Sequence, residues 1–111
     1  MQPNSVAHAG TLGLQHEPVP ADQSVSGAPS TAVAVLGTFA DRELGIWEMS
    51  VGVMTDTEAD ELFVVLSGAA IVEFADGTPT LEIGAGDVVC LAEGAETTWT
   101  VTETLRKVYL A

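Results

Sequence analysis

Glu61-Leu-Phe-Val-Val-Leu-Ser-Gly68, Ala69-Ala-Ile-Val-Glu-Phe-Ala-Asp-Gly77, Leu81-Glu-Ile-Gly-Ala-Gly86-Asp87-Val-Val-Cys-Leu-Ala-Glu-Gly94 and Ala95-Glu-Thr97-Thr-Trp99 follow one another with only Thr78-Pro79-Thr80 between them. Short runs rich in β-branched and aromatic residues alternate with Ser-Gly, Asp-Gly and Gly-x-Gly punctuation, leaving no room for a helix. That rhythm predicts an all-β, closed antiparallel structure.

Within this stretch, residues 61–66 and 69–75 flank Ser67-Gly68, which reads as a two-residue hairpin turn. Such a turn puts Glu61, Phe63, Val65, Ala70, Val72 and Phe74 on one side and Leu62, Val64, Leu66 and Ile71 on the other. Both sides are largely apolar, so the pair is expected to be covered twice: by the barrel core, and by a second layer, the N-terminal arm or another subunit. Strands follow at 80–83 and 88–92. In 97–102, strict alternation turns Thr97, Trp99 and Val101 inward and Thr98, Thr100 and Thr102 outward. The final strand, 105–110, has either Leu105, Lys107 and Tyr109 inward or Arg106, Val108 and Leu110; its pattern does not choose.

Upstream, 31–36 reads as a strand ended by Gly37, and 44–51 as a second with Trp47, Met49 and Val51 on one face. Residues 55–60 contain Thr-x-x-Glu and Thr-x-x-Asp, which look like helix caps, but the β-branched run that follows makes them a loop or strand end. Residues 1–30 differ in composition. Pro3, Pro18, Pro20 and Pro29 are scattered among Ser, Gln, Asn and Gly without sustained period, which predicts an extended arm, partly disordered or lying over a barrel of residues 31–111. His8 and His16, the only histidines, fall in this arm and are expected to be solvated.

The 111 residues suffice for one domain with a single core. Three basic residues against 16 acidic ones give a net charge of −13. A nucleic-acid binder needs Lys and Arg to replace phosphate counterions, so no nucleic-acid partner is expected, and anionic membrane surfaces are disfavoured likewise. No apolar run approaches the roughly 20 residues of a bilayer span. No Lys or Arg precedes Arg42, so the basic n-region of a secretory signal is not found. The single cysteine, Cys90, is expected to be a buried small hydrophobe, and a cytoplasmic setting is expected.

Most familiar catalytic arrangements are missing. Gly84-Ala-Gly86 lacks the third glycine of a dinucleotide loop and leads into a strand. With both histidines in the arm, no Ser-His-Asp or Cys-His set can be assembled. The acidic cluster Glu58, Asp60 and Glu61 alternates along the chain, which sends its side chains apart and reads as a solvated rim.

The ordered spacing of Glu61 and Gly68, then Gly86-Asp87 and Ala92-x-Gly94, with Trp99 and the closing Arg106-Lys107-Val108-Tyr109, resembles the cupin superfamily over residues 31–111. The nearest likeness is to small single-domain cupins of the ethanolamine-utilisation and (S)-ureidoglycine aminohydrolase C-terminal type. The resemblance implies a double-stranded β-helix (jelly-roll) barrel. Cupin motifs place three histidines and a glutamate around a metal. Glu61 matches the glutamate, but the histidine places fall on Thr55, Thr57 and Thr97, or one residue earlier for the first pair. Threonine hydroxyls are poor replacements for imidazole, so no metal and no cofactor is expected.

What remains is an organic pocket: Trp47, Phe63 and Trp99 as aromatic wall, Thr55, Thr57 and Thr97 as hydroxyls, and Glu61 as carboxylate, with Lys107 and Tyr109 added if they face inward. The simplest role for Glu61 and Lys107 is an ion pair in the wall; the alternative is a catalytic acid/base or ligand-anchoring pair. Three functions follow. The first is a barrel binding a small polar metabolite without a tightly held metal. The second is an enzyme acting on a ureido or amino metabolite through Glu61 and Lys107. The third is a homodimeric assembly module built on the apolar outer face.

Overall fold

Two long strands carry the barrel. The computed structural model covers residues 1–111 and contains nine strands: β1 Glu17–Pro18, β2 Ser24–Ser26, β3 Ser30–Phe39, β4 Arg42–Met49, β5 Gly52–Thr57, β6 Glu61–Phe74, β7 Leu81–Gly84, β8 Val88–Leu91 and β9 Glu96–Leu110. There is no helix. Every strand pairing is antiparallel. The first half of β6 pairs with the last part of β9 (Leu62↔Leu110, Val65↔Lys107) and its second half with the start of β9 (Ala70↔Val101, Phe74↔Thr97). Around the first half, β8, β6, β9, β4, β3 and β1 lie side by side; around the second, β7, β6, β9, β5 and β2. One sheet thus curls into two facing layers, the jelly-roll barrel that the cupin resemblance implies.

The bend is made where a hairpin turn is predicted. Ser67-Gly68 is not a turn: β6 runs straight through it, and the register with β9 slips between Val65 and Ala70. Gly68 has φ 89°, and a Cβ there would overlap Thr104 O and lie 2.7 Å from Leu105 Cα, so only glycine lets the two bent strands approach so closely. The side assignment survives this error for a simple reason. A two-residue turn and this irregularity shift the alternation by the same step, so Phe63, Val65, Ala70 and Val72 still share the buried face.

Other boundaries move as well. β3 continues through a register shift at Gly37 to Phe39 instead of ending there. β4 stops at Met49, and Val51 is exposed rather than inward. β5 extends the region read as a loop or strand end back to Gly52. Residues 97–102 and 105–110 are one strand. Cys90 is exposed, not buried: its partner in the ladder is Leu62, on the outer face.

The core gathers Met49, Met54, Phe63, Val65, Val72, Trp99, Val101, Leu105 and Tyr109 between the layers, with Val19 of the arm. β1 pairs with β3 and β2 with β5, so the arm adds a short strand to each layer. His16 is not a solvated tail residue. Its ring nitrogens lie 2.8 Å from Ser30 Oγ and 2.7 Å from Glu48 Oε1. Arg106, whose ladder partner is Glu48, donates from Nε to Glu48 Oε2 at 2.7 Å and from Nη1 to the carbonyls of Ala9 and Leu12 at 3.0 and 2.7 Å. The arm therefore straps the outer face of β4 and β9, where Ile46 is fully buried. Farther along that face the cover ends, and Leu62 and Val88 are 46% and 66% exposed.

Candidate functional site

Alternation along β9 puts Leu105, Lys107 and Tyr109 inward, settling the choice left open by the sequence. Lys107, the chain's only lysine, sits between Trp47 on β4 and Val65 on β6. Its Nζ donates to Glu61 Oε2 at 2.7 Å. The same nitrogen lies 4.2 Å from the ring centroid of Phe63, 4.5 Å from that of Trp47 and 5.0 Å from that of Trp99. With the Lys107 side chain only 5% exposed, water has little part in solvating the charge. The carboxylate and three ring faces replace it, each desolvated cation–π contact contributing on the order of 2 kcal/mol.

The cage walls are held by contacts of their own. Trp99 packs against Trp47 and Phe63 at centroid distances of 5.6 and 6.0 Å. Its Nε1 donates to Glu58 Oε2 at 2.9 Å, and Thr97 Oγ1 donates to the same oxygen at 2.7 Å. Glu58 is thus no rim residue: it fixes the tilt of Trp99. Its position between a polar loop and Glu61 gave the sequence no sign of this. Asp60 and Glu61 go elsewhere, Asp60 accepting from the Glu93 amide at 2.8 Å.

On β5, Asp56 pairs with Thr97 and Met54 with Trp99, so Met54 and Asp56 share the inner face. Thr55 and Thr57 alternate away from it, and Thr57 is exposed. The earlier alternative for the first motif pair is therefore the inward one. Burial, followed by the negative charge of Glu58, raises the Asp56 pKa above the ordinary aspartate value, against the pull of Lys107. Tyr109 also faces inward, but its hydroxyl donates to Glu43 Oε2 at 2.8 Å and makes no bond to Glu61. Burial and that bond to Glu43 raise its pKa. Gly45 makes room for the phenol, since a Cβ there would overlap the Tyr109 hydroxyl.

The residues read from the sequence as one pocket do not line one space. Around Lys107 the space is filled by the side chain itself. Beside it, at the end of β5, β6 and β9, a pocket of about 530 Å³ is lined by Gln23, Thr55, Asp56, Thr57, Thr97 and Phe74, with Glu73 and Glu96 among the rest. Thr55 and Thr57 line it from the outer face of the sheet, together with Thr98, Glu73 and Glu96, whereas Thr97 and Asp56 belong to the inner face. Trp47, on the far wall of the cage, lines a smaller pocket of about 300 Å³ with Gln15 and Glu17 of the arm.

The EutQ-like cupin domain matches residues 37–109, more than half of the chain. The chain belongs to the EutQ-like cupin family. Among solved structures, this cupin is similar to a DUF861-family protein of unknown function from Pseudomonas syringae pv. tomato, at 24% identity and a TM-score of 0.76. That match covers 91% of this chain but 45% of the other, so the cupin spans less than half the length of that relative. It is also similar to the Clostridium difficile EutQ protein (18% identity, TM-score 0.65, 85% and 78% of the two chains). A DUF861-family protein from Thermotoga maritima is 32% identical over 58% of this chain and 73% of its own, with a TM-score of 0.54. No curated protein matches the sequence.

The cupin metal position can be tested against the donors found here. Its places hold Met54, Asp56, Thr97 and Glu61, and Glu61 is engaged by the Lys107 ammonium. Thr97 gives its hydroxyl proton to Glu58. No imidazole is near, and no group of three His, Cys, Asp or Glu side chains is arranged to hold an ion. The residues present do not fit a transition metal.

Proposed function

We propose that this cupin binds a small polar metabolite, without a tightly held metal, in the pocket beside Thr97. The observation that carries the reading is the character of that space. Thr55, Thr57, Thr97 and Thr98, the Gln23 amide and the carboxylates of Asp56, Glu73 and Glu96 line about 530 Å³, with Phe74 as an apolar wall. Acceptors outnumber donors, which favours a ligand rich in N–H groups, such as an amine or ureido compound. Ligand screening by thermal shift against small amines, ureas and carboxylic acids tests this. An amine or urea should raise Tm in the wild type and lose its effect in T55V and D56N. Hits confined to anions, or unaffected by both substitutions, would overturn it. Turnover of a bound compound that E61Q abolishes while the variant stays folded and still binds the compound would make the protein an enzyme with Glu61 as its acid/base.

The reading includes a homodimer formed through the outer face of β6 and β8, where Leu62 and Val88 are left exposed beside Leu110 and Cys90. A second copy would cover this row by two-fold pairing. L62E/V88E should then sediment as a monomer while the wild type sediments as a dimer; a monomeric wild type would remove this part. A cytoplasmic, reducing setting belongs to the same reading, because an exposed Cys90 remains a thiol there.

A further inference from the structure

We propose that the barrel lumen is a recognition site for a primary alkylammonium ion, and that its resident occupant is the chain's own Lys107. The inference is independent of the pocket beside Thr97.

Three features that a free ammonium ligand would need are already assembled. Glu61 accepts one N–H at 2.7 Å. Phe63, Trp47 and Trp99 present their rings to the nitrogen at 4.2–5.0 Å from three different strands. The surrounding core excludes water, which strengthens both interactions. None of these walls is held in place by Lys107 alone. Trp99 is fixed by Glu58, the rings pack on one another, and Glu61 is on a strand paired with Leu91. Shortening the occupant should therefore leave a cage and not a collapsed core.

The shape and chemistry of the vacated space are defined by what is removed. Lys107→Ala deletes three methylenes and an ammonium, the atoms of n-propylammonium. The apolar stem lies along Val65 and Trp47, its ladder neighbours, and the cation must donate to Glu61. A neutral isostere such as 1-propanol lacks the charge. A quaternary ammonium lacks the N–H that Glu61 accepts and is too broad for the space of a linear side chain.

Thermal unfolding of K107A, titrated with n-propylammonium chloride, tests the proposal against sodium chloride at matched ionic strength and against 1-propanol. A saturable rise in Tm is expected for K107A with n-propylammonium only. It should be absent in the wild type and in K107M, whose side chain still fills the stem space, and at least tenfold weaker in E61Q/K107A. An equal effect on wild type or K107M, equal potency of 1-propanol, or no saturable effect on folded K107A would overturn it. If K107A does not fold even with n-propylammonium present, selective isotope labelling of lysine in the wild type decides. With one lysine, a single side-chain signal results, and its Cε and Nζ protons should lie well upfield from the shielding of three rings. Chemical shifts of a solvated lysine would refute the cage.

Discussion

Lys107 Nζ and Glu61 Oε2 lie 2.7 Å apart, with side chains 5% and 16% exposed, and the ammonium is the point on which three aromatic rings converge. Such a pair is asymmetric in its energetics. Removing one partner strands a charge in the core, whereas replacing both by neutral side chains leaves no charge uncompensated. E61Q is therefore expected to cost about 3–5 kcal/mol. E61Q/K107M should recover most of that loss. Urea unfolding of the two single variants and the double variant gives the cycle; additive losses would show that the two groups do not act as a pair.

The arm depends on Arg106. One guanidinium joins Glu48 to the carbonyls of Ala9 and Leu12, and charge-assisted bonds of this kind contribute roughly 1.5–3 kcal/mol each. R106A should release the first 16 residues while the barrel stays folded. Hydrogen exchange read by mass spectrometry would show protection lost in the arm and across β4, where Ile46 is uncovered, and unchanged in β6.

Glu48 gives that docking a pH dependence. Burial alone would raise its pKa, but hydrogen bonds from His16 and Arg106 and their positive charge outweigh it, and the net shift is downward. A carboxylate held below its unfolded value contributes stability above that value, about 4.3, and loses it as pH falls through the folded one. Arm protection should therefore fall on acidification below about pH 4.3. E48Q should show weakened protection already at neutral pH and no further loss in that window.

Asp56 has the opposite sign. Its pKa is raised by burial and by Glu58, so its charged form is penalised in the folded protein. Its contribution is fully favourable below the unfolded value near 4 and is lost as pH rises through the folded one. D56N is thus expected to raise Tm at pH 7 by a small amount, with the gain vanishing below about pH 4. A gain of equal size at both pH values would rule out titration of Asp56 as its source.

Gly68 and Gly77 share a left-handed backbone, at φ 89° and 87°, but differ in surroundings. A Cβ at Gly77 meets nothing within 4 Å, whereas at Gly68 it overlaps Thr104 O. G77A should cost only the conformational term, about 1–2 kcal/mol. G68A adds a backbone clash at the crossing of β6 and β9 and should cost well over about 3 kcal/mol. Chemical denaturation of the two variants separates conformational cost from close approach.

Much of the fold is legible in residues 61–99, because glycine punctuation and period-two patterning are local. The burial of Phe63, Val65, Ala70 and Val72 and the inward set Thr97, Trp99 and Val101 follow from alternation alone. Errors occur where a local signal has two structural meanings. Ser67-Gly68 serves a turn or a sheet-bending irregularity equally well, and only the distant partner strand β9 distinguishes them. Cys90 looks buried in an apolar run, yet its face is set by pairing with Leu62.

The same division runs through the site. By itself the sequence determined an all-β cupin barrel, a first motif without histidines and the candidate partners Glu61 and Lys107. The tertiary structure alone decided that Lys107 faces inward, that three aromatic rings from β4, β6 and β9 surround its ammonium, and that Glu58 rather than Tyr109 joins the network. It also decided that His16 and Arg106 bind the arm through Glu48. Patterning reports which face of a strand is apolar. Where a charged side chain ends depends on groups brought beside it by strands far apart in the chain, and those appear only when the barrel closes.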